Sequence, residues 1–424
     1  MIKTIRINNA ADVRLAVAVL AGRGGTLAEG VEEAVREIIW TVRVGGDPAL
    51  FAYAEKFDGG MPDPLTAGRA EMKAAYEKVD DAFRKAITHA AENIRAYHEK
   101  QLPAGYEHKQ EGGVVLGQIV RGLTRVGLYV PGGTAAYPST VLMNAIPARL
   151  AGVQELIMVT PRAELNILAA AYLAGVDRVF FVGGAHAVAA LAYGTETIPR
   201  VDKIVGPGNV YVATAKRMLY GTVDIEMIAG PSEVLILADE TADAAYAAAD
   251  MLSQAEHDVN AAAVLLTTDE KVAEQVSSEI ALQLKSLPRG GIAGEAIEKN
   301  GLIGICRSED EMVALADEIA PEHLEILTAD PFGLLARVKN AGSVFLGPYS
   351  PEPLGDYYAG TNHVLPTSGA ARFASPLGVY DFVKRMSYTY YTREALAAAR
   401  EDIQAIGNAE GLTAHVAAVN KRFE

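Results

Sequence analysis

Arg178-Val179-Phe180-Phe181-Val182-Gly183-Gly184 and Lys203-Ile204-Val205-Gly206-Pro207-Gly208-Asn209 decide the fold class. Each is a short apolar run cut off by a glycine turn, the way a strand hands over to a helix. Helical stretches follow, through Tyr193 after the first turn and through Tyr220 after the second. Upstream, Glu155-Leu156-Ile157-Met158-Val159 leads through Thr160-Pro161 into a helix ending near Leu173. Before that, Arg125-Val126-Gly127-Leu128-Tyr129-Val130 runs into Pro131-Gly132-Gly133-Thr134. Strands that alternate with helices pair in parallel through right-handed crossovers, so an α/β fold is expected. The turns could present backbone N–H groups to a pyrophosphate. None completes the GxGxxG fingerprint, because Tyr211 stands where the third glycine would be, and tight turns of any α/β sheet look the same.

A second α/β block begins at Glu233-Val234-Leu235-Ile236-Leu237. A helix is expected from Thr241 to His257, a strand at Ala262 to Leu266, and a long helix from Glu270 to about Lys285. Gly301 to Cys306 is the next strand. Ser308 and Glu311 have the spacing of a capping box for a helix ending near Ala320. Strands at His323 to Ile326 and Ser343 to Leu346 complete the block. Gly347 to Pro376 reads as irregular, and long loops in compact domains tend to carry function. Thr392 to Phe423 reads as helical, interrupted near Gly407 and Gly411. The first 110 residues also read as helical, at Val31 to Val44 with the lone Trp40 and at Asp63 to Tyr97; Val114 to Val120 is strand-like.

The 424 residues are enough for more than one domain. A formal net charge of −15 argues against a nucleic-acid or anionic-membrane surface, which needs basic clusters. The single cysteine, Cys306, excludes an intrachain disulfide and reads as a small buried hydrophobe. No apolar run approaches the roughly 20 residues of a membrane span. No signal-like leader opens the sequence, so a cytoplasmic protein is expected.

Chemistry-bearing groups gather after residue 250. Gln254 and His257 in Ser253-Gln254-Ala255-Glu256-His257-Asp258 are three apart and share a helical face, so both could serve one cation. A polar helix end facing water has the same spacing. His323 in Pro321-Glu322-His323-Leu324, His363 in Gly360-Thr361-Asn362-His363, His415 near the end, and Asp356 in Leu354-Gly355-Asp356-Tyr357 are further potential ligands. Any metal site must be assembled from distant segments, since no compact zinc motif occurs. The adjacent Glu322 and His323 suit proton transfer, or merely decorate a helix end. His89, His98 and His108 read as solvated.

Taken together, these strings resemble the histidinol dehydrogenase family. The likeness runs through Val126 to Thr134, Pro138-Ser139-Thr140-Val141-Leu142-Met143, Ile204 to Asn209, Ile228-Ala229-Gly230-Pro231-Ser232-Glu233, Ser253 to Asp258, Ala320 to Leu324, Gly360 to Thr367, Tyr380-Asp381-Phe382-Val383-Lys384-Arg385 and Ala409-Glu410-Gly411-Leu412. The resemblance implies a homodimeric zinc enzyme that oxidises L-histidinol to L-histidine through histidinal, using two NAD⁺. It implies zinc ligands Gln254, His257, Asp356 and His415, one ion per subunit, with Glu410 and His415 reaching the site of the other subunit. Glu322 and His323 match the acid/base pair. Ser232, His363 and Glu410 match substrate contacts, joined by His323 and the four ligands. Tyr129 and Asn209 match cofactor contacts, and so does position 186, where His186 stands in place of the family's usual Gln. His323 is the expected base for the hydroxyl proton. Glu322 is expected to activate water for the second oxidation.

For architecture, the resemblance implies two intertwined Rossmann-like parallel-sheet domains. The expected parts are an N-terminal segment 1–24, a discontinuous domain 25–128 and 233–377 with most of the metal and catalytic site, an inserted domain 129–232 with cofactor contacts, and a helical arm 378–424. Three other readings stay open: a paralogous zinc/NAD dehydrogenase acting on another small amino- or hydroxy-alcohol, a zinc hydrolase, and a non-catalytic binding protein.

Overall fold

The structure is a computed structural model and describes all residues except 1, 21–29, 61–63, 133–136, 163 and 229. Gly133 and Thr134 of the first glycine turn, Ala229, Asp63 and the expected boundary at 24/25 lie outside the described residues. Two six-stranded sheets and one three-stranded sheet organise the rest. The first has the spatial order Thr66–Ala67, Arg178–Phe180, Glu155–Val159, Arg125–Tyr129, Lys203–Val205, Asp224–Ile225. All its pairings are parallel except that of the outermost Thr66–Ala67. The second has the order Lys3–Arg6, Gly301–Ile305, Ala262–Thr267, Glu233–Ala238, His323–Leu327, Ser343–Leu346, and is parallel throughout. The α/β class expected from the strand–turn–helix units is what forms.

A parallel sheet must be covered on both faces. On the first sheet that cover comes partly from upstream. The helix Val31–Phe57 packs on the helices Gly184–Tyr193 and Val210–Leu219. Arg69–Lys78 lies on Leu165–Ala174, and Asp81–His98 on Pro138–Leu150. The helices between residues 31 and 98 therefore share cores with the 125–225 sheet, not with 233–377 as expected. The N-terminal strand Lys3–Arg6 is no separate segment either: it adds an edge to the second sheet.

Other local expectations shift for identifiable reasons. The stretch to Tyr97 is broken at Asp80, which caps the helix Asp81–His98 by accepting from Phe83 N–H at 2.9 Å. His98 is buried, not solvated: it extends the apolar stripe Ile87, Ala91, Ile94 and bonds Gln101 at 2.7 Å. Ser308 accepts from Glu311 N–H at 3.3 Å, but the Glu311 carboxylate takes Arg307 N–H, so only half the capping box forms. Gly290–Asn300 is a further helix. Glu352–Tyr357, inside the stretch read as irregular, is another. The arm is not wholly helical. Val383–Tyr390 pairs antiparallel with Val114–Gly122, which also pairs with Tyr106–Gln110. A Cβ at Gly117 would sit 2.2 Å from the Tyr388 ring, which would have to move aside. Helices Arg393–Ala409 and Thr413–Asn420 follow, with Gly407 their single buried residue. Cys306 is buried and its thiol is pushed up to about 12, as suits an inert hydrophobe.

Candidate active site

The two large sheets present opposite edges to one cavity of about 440 Å³. From the first sheet come groups just past the carboxyl ends of its strands: Pro131, Pro207, Gly208 and Glu226. Nucleotides bind at that edge of open α/β sheets. From the second come groups at the amino ends: Ser232, Glu322 and His323. Gln254 arrives at the end of the helix Ala244–Ala255, which runs back toward the same edge, with His257 two residues beyond it. Asp356 comes from the short helix Glu352–Tyr357, and His363 from the extended chain after it. Seven of the expected residues thus converge: Ser232, Gln254, His257, Glu322, His323, Asp356 and His363.

Glu322 and His323 are held in place by hydrogen bonds to Glu233. Glu322 Oε2 accepts Glu233 N–H at 2.9 Å, while Glu233 Oε1 accepts Glu322 N–H at 3.3 Å and Ser368 N–H at 2.9 Å. His323 Nδ1 lies 3.0 Å from the Glu233 carbonyl. A carbonyl only accepts, so Nδ1 carries the hydrogen and Nε2 is left as the acceptor. The preceding Ala320 closes its helix in the left-handed region, at φ 50°.

Electrostatics follow from burial. Desolvation lowers the His323 pKa to about 4, opposed chiefly by the Asp356 charge, so the ring is neutral. Burial drives the Glu322 carboxyl well above the ordinary range, reinforced by Glu233, Asp356 and Glu352. Glu352, which sequence reasoning missed, is 2 % exposed, lies 3.6 Å from His323 Nε2 and is pushed up to about 9, first by burial and then by Asp356. Burial also lowers the His363 pKa; its Nδ1 bonds the Asp356 carbonyl at 3.2 Å.

Two features fit a metal ion. The Gln254 Oε1 is buried with no hydrogen-bond partner, in a residue lining the cavity. An abandoned buried acceptor costs about 1–3 kcal/mol, so some electrophile is wanted there. His323, Glu352 and Asp356 also bring ligand atoms within 4.8 Å of one another. Oxygen and imidazole donors of this kind suit zinc.

Five expected residues do not line the cavity. Glu410 and His415 are exposed on the arm. Tyr129, Asn209 and His186 sit at the glycine turns. Tyr129 is buried, accepts Gly184 N–H at 3.0 Å, and burial pushes its hydroxyl up to about 12. Asn209 caps the helix Val210–Leu219, accepting from Tyr211 and Val212 N–H at 3.1 Å each. His186 is 1 % exposed, and its Nε2 faces Asp58 Oδ2 at 3.1 Å; the same oxygen takes Gly183 N–H at 2.9 Å. The turn before the helix Gly184–Tyr193 is therefore occupied by a side-chain carboxylate of this chain. The signal missed for Glu352 was its i, i+4 relation to Asp356 behind Pro351, a helical start.

Comparison with known proteins gives a consistent result. The sequence model of the histidinol dehydrogenase family matches residues 22–423. A histidinol dehydrogenase of Listeria innocua is 55% identical over 394 residues, 92% of either chain. One of Bacillus thuringiensis is 54% identical over 411 residues, 96% of either chain. The crystal structure of histidinol dehydrogenase from Elizabethkingia anophelis superposes with a TM-score of 0.93 at 36% identity, covering 100% of this chain and 98% of that one. Among the described residues no helix is long and apolar enough to cross a membrane. A paired Glu-His at a sheet edge, in a chain matched along nearly its whole length, makes this protein a member of the histidinol dehydrogenase family, oxidoreductases of histidine biosynthesis.

Proposed function

We propose that the protein oxidises L-histidinol to L-histidine through histidinal in two NAD-linked steps, in a cytoplasmic homodimer with one zinc per subunit. Gln254, His257 and Asp356 would hold the metal, with His415 supplied by a second copy of the chain. The observation that carries this reading is the partnerless Gln254 Oε1, buried among groups that line the same cavity as His323. When bound, zinc would orient the substrate's imidazole and amine as a Lewis acid, and NAD⁺ would take up the hydride.

The chain's own residues do the proton work. His323, neutral and with Nδ1 committed to the Glu233 carbonyl, offers Nε2 to the substrate hydroxyl. The second oxidation needs water added to the aldehyde, and Glu322 is the group to take that proton. Burial raises its pKa, which favours the protonated form. A cation entering the cavity, the substrate's ammonium included, lowers that pKa and prepares it. Ser232 and His363 line the cavity as substrate contacts, with Glu410 reaching in from the second copy. Tyr129, Asn209 and His186 support the cofactor from the glycine turns.

Metal analysis combined with NADH formation from histidinol, before and after chelation, tests this. Stoichiometric zinc and chelator-sensitive turnover are expected. Absence of nicotinamide binding would favour the hydrolase reading instead.

A further inference from the structure

Among the described residues, several buried side-chain oxygens lack a hydrogen bond, but only two belong to residues lining the cavity: Gln254 Oε1 and Glu226 Oε2. The first is absorbed by the metal proposal. The second is not, and it is a carboxylate oxygen in a side chain only 4 % exposed.

Glu226 is fixed by its other oxygen. Oε1 takes the Lys216 ammonium at 2.5 Å and Gly206 N–H at 2.9 Å, and Lys216 also bonds the Gly206 carbonyl at 2.9 Å. This ties Glu226, just past the last strand of the first sheet, to the Gly206-Pro207-Gly208 turn whose Pro207 and Gly208 line the cavity. The turn packs tightly on the Tyr129 main chain. Gly206 has φ 114°, and a Cβ there would meet the Tyr129 carbonyl at 2.1 Å. Oε2 is thus a preset acceptor at the carboxyl edge of the first sheet, and a carboxylate can only accept.

We infer that Glu226 is a cofactor-binding residue whose free oxygen accepts a hydroxyl of the nicotinamide-side ribose. The inference rests on the reading that this cavity takes NAD. The nicotinamide ring must reach a substrate beside His323 on the opposite wall. The sugar joining that ring to the phosphates then lies nearest the glycine turn, and its diol is the donor. Lys216 offsets the carboxylate's charge where phosphates approach.

The test measures binding, by calorimetry on the full-length zinc-loaded protein. NAD⁺ is compared with analogues lacking either hydroxyl of the nicotinamide ribose, on wild type and on Glu226→Gln. Hydrogen bonds to charged groups correspond to about tenfold or more in affinity. Wild type is expected to lose that factor with one deoxy analogue. The variant loses it with NAD⁺ itself and loses nothing further with the analogue, while histidinol affinity stays put. Equal NAD⁺ affinity in both proteins overturns the inference. So does an analogue penalty that is the same in both, which would point to the carboxamide or to no contact. If the variant does not fold, the wild-type arm alone decides: analogues that bind as tightly as NAD⁺ sink the proposal. Wild type that binds histidinol but no NAD⁺ brings down the cavity reading itself, a different result from a lost ribose contact.

Discussion

Gln254→Met should move the metal-free and zinc-loaded proteins in opposite directions. The side chain is 1 % exposed, near the end of a 12-residue helix, and its Oε1 has no partner. Methionine has similar length, is unbranched and is a good helix former, so the backbone has no reason to move. Without metal, the substitution removes a desolvated acceptor and should stabilise by about 1–3 kcal/mol, a rise of several degrees in melting temperature. With zinc the sign reverses for any metal-free gain below about 2.7 kcal/mol. At a free concentration of about 1,000 Kd, wild type gains about 4.1 kcal/mol from binding; a hundredfold weaker site leaves only about 1.4 kcal/mol. Melting by calorimetry in chelator and then in buffered zinc reads both numbers from one pair of proteins. A variant that melts below wild type in chelator, or keeps the full zinc shift, would refute the ligand argument.

His323→Ala should cut alcohol oxidation by about 10²–10⁴ with zinc content unchanged; wild-type turnover in that variant removes His323 from the mechanism. Glu322→Gln should spare alcohol oxidation more than aldehyde oxidation, and equal loss in separate assays of the two half-reactions contradicts a water-activating role. If His415 serves a second copy, inactive His323→Ala and His415→Ala proteins should recover about a quarter of wild-type activity once unfolded and refolded as a mixture, because each mixed dimer rebuilds one complete site; no recovery in chromatographically confirmed mixed dimers disproves the swapped arm. Glu352 is raised to about 9, whereas an unfolded Glu titrates near about 4.3, so its stabilising contribution is complete below the lower value and is lost as pH rises toward the upper one. Metal-free Glu352→Gln should therefore gain on wild type between pH 5 and 8, by at most about 1.4 kcal/mol per pH unit, and a pH-independent difference in melting would argue against that shift.

Most strands of both large sheets were readable, because short apolar runs between helical stretches leave few alternatives; Lys3–Arg6 was not. Val383–Tyr390 was not: its side chains are mostly exposed and polar, and what orders it is a backbone ladder with Val114–Gly122. The two-residue strands Thr66–Ala67 and Asp224–Ile225 are too short to leave a pattern. His98 was legible in principle, four residues beyond Ile94 on a stripe that also holds Ile87 and Ala91. For the site, spacing could pair Gln254 with His257 and Glu322 with His323. It could not bring residues 232 through 363 to one cavity. Only the family likeness suggested that, and the cavity holds seven of the residues it named. Glu226 and Glu352 escaped because an acid beside a turn looks solvated; their burial is a property of the sheet edges that meet over them.

The ladder under the arm has a mechanical consequence. Eight backbone pairs run from Val383 opposite Gly122 to Tyr390 opposite Val115, and Leu123 N–H adds a bond to the Phe382 carbonyl at 2.9 Å. Two residues later the same chain enters Arg125–Tyr129, a central strand of the first sheet. A push on that sheet therefore reaches the last two helices through stiff, continuous main chain. The last two helices are thus tied to the first sheet by main chain, and a side chain at position 117 would press on that tie through Tyr388.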